Sequence, residues 1–329
     1  MKQVAKEVLR SNAAPELAGE PVKTPSVWLR FIRQWDFQLM ILPAVVFLLV
    51  FNYAPMYGIL LAFKEYNLFK GFADSPWVGT MHFRMFFESP EFWDIIRNTF
   101  CIALLKLAIG FPAPIILALM LNEVGGLFKR VVQTITYIPH FMSWIVISGL
   151  AFSMLAADHG ALNDLLVKLH IVKDPVNWLS EPKYFWGILV GLNVWKEIGF
   201  GSIVYLAAII GIDPSLYESA SLDGASRFKQ IFLITIPSIM PIMMIFLILG
   251  IGNILTAGYE DILVLTRNLN NGIMLPIGNV LDTYVYQMGI LNQRYSYASA
   301  VGLFKSVLSV VLLVIANASA RKFGRTSLW

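Results

Sequence analysis

Six apolar stretches recur along this chain, at roughly 37–63, 100–121, 131–155, 185–212, 231–255 and 297–316. Each is about as long as the roughly 20 helical residues needed to cross a hydrocarbon core. No water at that depth can satisfy an open backbone, so a spanning segment of this kind must close its own hydrogen bonds as an α-helix. The composition agrees: 57% of the 329 residues are hydrophobic and only 14% are charged. Such a chain has too much apolar surface for a water-soluble domain. The fold class expected is therefore an all-α membrane protein with six transmembrane helices.

The spans divide the chain into a polar N-terminal region over 1–36, a transmembrane domain over 37–316 and a basic tail over 317–329. The first apolar run starts late and is too long for a cleavable signal core. Within the N-terminal region Trp28, Phe31, Ile32 and Trp35 fall at helical spacing with Arg30 and Arg33 between them. That pattern describes either a helix lying in the membrane interface or a stiff flank of the first span. Orientation follows from charge. With both ends inside, the inner segments carry 13 Lys+Arg over 76 residues and the outer ones 9 over 106. The inner density is about twice the outer, as the positive-inside rule requires. The net charge of +4 thus reflects topology and calls for no nucleic-acid partner.

Several spans carry helix breakers. Pro112 and Pro114 lie in the second, Pro139 in the third, Pro237 and Pro241 in the fifth, and Gly199-Phe200-Gly201-Ser202 in the fourth. Proline removes an amide donor and bends a helix. Irregular backbone at membrane depth belongs where protein or a water-filled cavity covers it, which fits a bundle around a path. For Pro237, simple punctuation at a span end explains the residue equally well.

Ionisable residues inside the apolar segments are Lys106, Lys196, Glu197 and Lys305. Such residues face the bundle interior and often a solute path. Lys196 and Glu197 diverge by about 100 degrees around a helix, so each needs its own partner. Asn193, Trp195 and Tyr205 add hydrogen bonding and flat aromatic surface to the same segment. Rings and hydroxyl partners together suit a saccharide, so these five residues are candidate lining of a substrate path. Snorkelling of the lysine or a structural interhelical bond accounts for the same side chains.

Between the fourth and fifth spans lies a polar, helix-forming island, 213–230. Asp213 is placed to cap a helix, Pro214 to open it and Gly224 to end it in the left-handed conformation. Positive-inside counting puts this island in the cytoplasm. A capped connection is common in polytopic proteins, but this one is long and regular.

Catalytic and metal signatures are missing. Cys101 is the sole cysteine and reads as a small buried hydrophobe at the start of the second span. His82, His140, His159 and His170 have no paired metal-ligand spacing. The chain contains no phosphate-binding Gly-rich loop, so ATP and Mg, if used, must bind another polypeptide.

The sequence Glu218-Ser219-Ala220-Ser221-Leu222-Asp223-Gly224-Ala225, followed by Ile234-Thr235-Ile236-Pro237, resembles the cytoplasmic coupling loop of permease subunits of bacterial ABC importers. Ser219 stands where that family usually has Ala, a change a helix accepts. The likeness extends through Tyr53-Ala-Pro-Met-Tyr57-Gly58, Ala62-Phe-Lys-Glu-Tyr66-Asn67, Trp77-Val-Gly79, Asn98-Thr99, Asn122-Glu123, Tyr137-Ile-Pro139-His140, Trp195-Lys196-Glu197-Ile-Gly199 and Thr283-Tyr284-Val-Tyr286. These motifs are similar to the carbohydrate-uptake subgroup with maltose-type first permeases, and within it to the permeases of alginate importers.

The resemblance implies the type I importer architecture and a multi-pass subunit of the bacterial inner membrane that is not an enzyme. The implied partners are a second, related permease forming a heterodimer with this one, two ATPase subunits carrying ATP and Mg, and an extracytoplasmic solute-binding protein. The implied cargo is an oligosaccharide or polysaccharide fragment. Contact with the ATPase falls to Glu218, Ser219, Ala220, Asp223, Gly224, Ala225 and Arg227. The outer connection 256–296 is expected to cap the cavity and seat the binding protein through Tyr259, Glu260, Asp261, Asp282, Tyr284 and Tyr286. An ion- or proton-coupled secondary transporter would use Glu197 without an ATPase, but it predicts inverted repeats that the sequence does not display. An intramembrane enzyme would need a second acid or a nucleophile near Glu197, and none is in the sequence at that depth.

Overall fold

The computed structural model describes residues 34–256, 258–269 and 271–322. Among these, helices dominate, and the only extended pairing is two isolated bridges, Lys64 with Trp77 and Asn67 with Gly71. The expected interfacial helix of Trp28, Phe31 and Ile32 lies outside the described residues, as does the tail beyond Lys322.

Packing separates a unit ending at Tyr57 from one beginning at Gly58. In the first, α1 (Trp35–Leu48) contains Pro43 and passes into a π turn at Leu49–Tyr53. Pro55 has no amide to continue the α ladder, and the chain tightens into 3-10 turns over Ala54–Phe63. The whole stretch Trp35–Phe63 is long and apolar enough to cross a membrane.

The second unit takes in the end of that 3-10 stretch from Gly58, and its first α-helix is α2 (Met81–Phe87). It continues with α3 (Phe92–Gly110) and α4 (Pro112–Glu123), which join at Phe111 as one span of 32 residues. Helix α5 (Gly126–Tyr137), extended by a 3-10 turn at Ile138–Phe141, meets α6 (Trp144–Met154) at 106°; taken together, this bent pair is the third candidate span. After α7 (Ala161–Lys168), α8 (Pro182–Ile210) is the fourth span. A short helix α9 (Pro214–Leu222) leads to the fifth span, made of α10 (Arg227–Gln230), a π turn at Ile231–Thr235 and α11 (Ile236–Gly252). The outer connection folds as α12 (Glu260–Leu265), α13 (Leu275–Gly278) and α14 (Leu281–Tyr286), before α15 (Tyr295–Lys322) forms the sixth span.

Two expectations need correction. The Gly199–Ser202 run does not interrupt the fourth span, which is continuous; its glycines serve packing. The second span starts at Phe92, so half-buried Cys101 lies well inside it. Asn98 and Thr99 hide that early start, because their polarity is absorbed by the outer connection. Asn98 Nδ2 donates to the carbonyls of Pro276 and Asn279, and Thr99 Oγ1 accepts from Leu281 N–H.

The second span is central, since all three apolar clusters draw on it. Its N-terminal end packs Ile95 with Phe86, Tyr284, Tyr297 and Val301. Its middle packs Ile102 and Ala103 with Leu189, Leu255 and Ile262. Its other end packs Ile115, Ala118 and Leu121 with Leu206, Ile209 and Ile239.

Candidate functional site

A cavity of about 420 Å³ opens between the second, fourth and fifth spans. Its walls are mostly apolar, with Lys106, Asn193, Glu197, Tyr205, Asn253 and Thr256 as the polar lining. Three of the five residues predicted for a substrate path thus meet here: Asn193, Glu197 and Tyr205. Trp195 and Lys196 point elsewhere. Trp195 is 41% exposed, and Lys196 is buried.

Lys196 is spent on the bend in the third span. Breaking a helix leaves carbonyls without amide partners, and at membrane depth each must find a donor. The Lys196 ammonium donates to the carbonyls of His140 at 2.6 Å, Met142 at 2.7 Å and Pro139 at 3.4 Å. It also lies 5.8 Å from the Trp144 ring centroid, within cation–π range. On the far side of the break, Ser143 Oγ accepts from Val146 N–H and starts α6. Glu197 Oε2 accepts from His140 Nδ1 at 2.9 Å, and the His140 ring stacks on Phe200 at 3.9 Å. A methyl group on Gly199 would overlap the Thr136 carbonyl, so glycine alone lets the third and fourth spans approach this closely. The Trp195-Lys196-Glu197-Ile-Gly199 motif is therefore largely a clasp on the third span.

The outer connection uses its acidic groups internally. Asp261 is 2% exposed and pairs with Lys106 at 2.5 Å. Asp282 pairs with Lys305 in the sixth span. Tyr284 is buried and shares a hydrogen bond with Tyr297. Burial there raises the pKa of Tyr284 above the usual phenol range. Asp261 and Tyr284 are thus buried among internal partners, whereas Asp282 is half-buried, with Oδ1 on Lys305 and Oδ2 without a hydrogen-bond partner among the described residues. Glu260 remains exposed beside half-buried Tyr259 and Tyr286, whose rings meet edge to face at 5.2 Å.

At the other end of the fourth span, Asp213 caps α9 by accepting from Ser215 N–H at 2.9 Å, and Pro214 is its first residue. That bond holds the Asp213 carboxyl below its ordinary range, so the cap is ionised at neutral pH. Gly224 ends the helix at φ +75°, a conformation in which a side chain is strained. The helix is moored from below: Gln230 Nε2 donates to Ser221 Oγ and the Ala225 carbonyl, and Tyr217 bonds Thr235. Glu218, Ser219, Asp223, Gly224 and Arg227 are exposed, while Ala220 and Ala225 are half-buried.

Sequence reasoning passed over four residues. Phe200 lies one helical turn beyond Glu197, so its place on the cavity wall was readable from spacing. His140 beside Pro139 was a polar residue at membrane depth, and that was its signal. Leu222 and Phe228 flank the Gly224 turn at 91% and 76% exposure. Bulky apolar groups bared in an otherwise polar loop were the signal there.

The family model described as "Binding-protein-dependent transport system inner membrane component" matches residues 110–325. Protein LplB of Bacillus subtilis is 41% identical over 324 residues, covering 97% of this chain and 100% of that protein. The polygalacturonan/rhamnogalacturonan transport system permease protein YteP of the same organism is also 41% identical, over 93% of this chain and 94% of its own length. Among solved structures, a bacterial ABC transporter involved in the import of the acidic polysaccharide alginate matches at TM-score 0.81 and 40% identity, over 90% of this chain and 98% of the matched chain. A bacterial alginate ABC transporter in complex with alginate pentasaccharide-bound periplasmic protein matches at TM-score 0.82 and 39% identity, over 92% and 99%. Matched nearly end to end by such relatives, this helical chain belongs to the binding-protein-dependent transport system inner membrane components, the multi-pass permease subunits of ABC importers.

Proposed function

We propose that this chain is one of two transmembrane subunits of an ATP-driven, binding-protein-dependent importer of oligosaccharides or polysaccharide fragments, with acidic chains of the alginate type in its range. The observation that carries this reading is the end-to-end likeness, at about 40% identity, to the permease of an alginate importer. The cavity lined by Asn193, Glu197 and Tyr205 supports it, since these groups bond hydroxyls within an apolar wall.

The mechanism is alternating access. An extracytoplasmic binding protein delivers the saccharide to the outer connection, around Glu260, Tyr259 and Tyr286. ATP and Mg bind two separate ATPase chains, whose closure moves α9 as a lever. Glu218, Asp223 and Arg227 give that contact its register, and Leu222 and Phe228 supply the apolar anchors typical of docking centres. With both termini in the cytoplasm, α9 lies on the ATPase side, as the inner excess of Lys and Arg requires.

Deleting the gene and following uptake of alginate, polygalacturonate and maltose oligosaccharides tests the reading. Selective loss of one oligosaccharide class is expected. Unchanged uptake of all three, with altered ion or proton flux, would overturn it.

A further inference from the structure

The bend in the third span is held by a side chain from the fourth, and that side chain does not itself reach the cavity. Three carbonyls converge at the break, and an ammonium has three donors and no acceptor to leave idle. The dipoles at the end of the Gly126–Phe141 helix present partial negative charge there, which compensates the buried cation without a carboxylate. One of the carbonyls that Lys196 binds is that of His140. The ring of the same residue lies flat on Phe200 and donates to Glu197. Glu197 and Phe200 line the cavity; Lys196 does not.

From this geometry we propose that Lys196 is a positioning residue: it fixes the bend so that His140 holds Glu197 Oε2, presenting Oε1 on the cavity wall as an acceptor for saccharide hydroxyls. Lys196 acts through His140 and touches no solute. The inference rests on reading the cavity as the solute path. It assigns the sugar-facing role to Glu197 and Phe200, and supporting roles to His140 and Lys196.

The test uses the purified importer complex in nanodiscs, with Cys101→Ser as background and spin labels on Arg130→Cys and Ser153→Cys, either side of the bend. The native chain and Lys196→Arg should give one narrow label distance, and Lys196→Met a shifted or broadened one. The second readout is ATP hydrolysis stimulated by binding protein loaded with alginate pentasaccharide. Lys196→Met should raise its half-saturation about tenfold, the scale of one lost hydrogen bond, and add little when combined with Glu197→Gln. His140→Phe, which keeps a ring but loses the bond to Glu197, should raise half-saturation equally while leaving the label distance unchanged. An unchanged distance in Lys196→Met overturns the proposal, as does an unaltered half-saturation in His140→Phe. Absence of any saccharide stimulation in the native complex would instead overturn the solute-path reading, and the label distance would still decide whether Lys196 sets the bend.

Discussion

Lys106, near the middle of the second span, donates to Asp261 of the outer connection across 155 residues of chain, at 2.5 Å. Lys305 in the sixth span and Asp282 repeat the arrangement. Two of the four charges set in the apolar segments are thereby matched, and both partners come from the same connection. That connection is thus fastened to the bundle by ionic staples, and Lys106 also lines the cavity.

Breaking one such pair leaves a buried charge uncompensated. Lys106→Met or Asp261→Asn alone should destabilise the detergent-solubilised protein by about 3–5 kcal/mol, and the double variant by much less. A thermal-shift double-mutant cycle measures this. Equal losses in the single and double variants would show that the pair is not coupled.

Gly199 offers a sharper steric test. Gly199→Ala must push Thr136 and the third span away from the fourth and should cost about 1–3 kcal/mol, the usual scale of overpacking. Gly187→Ala in the same helix meets nothing within 4 Å and should be neutral or stabilising. Comparing melting temperatures of the two variants checks the prediction; equal shifts would contradict the close approach.

The spans were legible because hydrocarbon thickness fixes how many apolar residues a helix needs, and the six expected segments overlap five long helices and one bent pair. The cap, first residue and end of α9 were legible because Asp213, Pro214 and Gly224 act through local backbone geometry. Partnerships over distance were not. Nothing around Asp261 or Asp282 in the chain shows that Lys106 and Lys305 neutralise them, so both looked like surface acids. Lys196 and Glu197 were rightly read as needing separate partners, but that the lysine's partners are backbone carbonyls depends on a bend that Pro139 alone does not specify.

For α9, Glu218→Lys combined with Gly224→Val should uncouple ATP hydrolysis from transport while the chain still inserts and assembles. The first change reverses a tip charge, and the second forces a β-branched side chain into positive φ. Leu222→Ser should weaken ATPase binding without altering insertion. Because the Asp213 carboxyl is held below its usual range, its cap is fully present above that range and is lost only as pH falls through the lowered value. ATPase coupling should therefore show no titration from this group at neutral pH. Retained saccharide-stimulated hydrolysis in the Glu218→Lys/Gly224→Val complex would count against the lever.

Within the fourth span, Glu197→Gln should raise the half-saturation for transport by about tenfold, since a lost hydrogen bond to a charged group is worth about 1.5–3 kcal/mol. Trp195→Ala should leave it unchanged, because that ring does not line the cavity. Transport normalised to assembled complex separates these effects from yield. A shift for Trp195→Ala alone would place the path on another face of the helix.

The central claim is that this chain forms half of a saccharide path driven by ATPase subunits and loaded by a binding protein. The most direct measurement reconstitutes the chain with its companion permease and ATPase chains in liposomes and follows ATP hydrolysis as binding protein is added, empty or loaded with acidic oligosaccharide. The account predicts that loaded binding protein stimulates hydrolysis and drives saccharide into the lumen only in vesicles whose nucleotide sites and ATP are inside and whose binding protein is outside. Hydrolysis indifferent to the loaded binding protein, or saccharide uptake that proceeds without ATP, would contradict it.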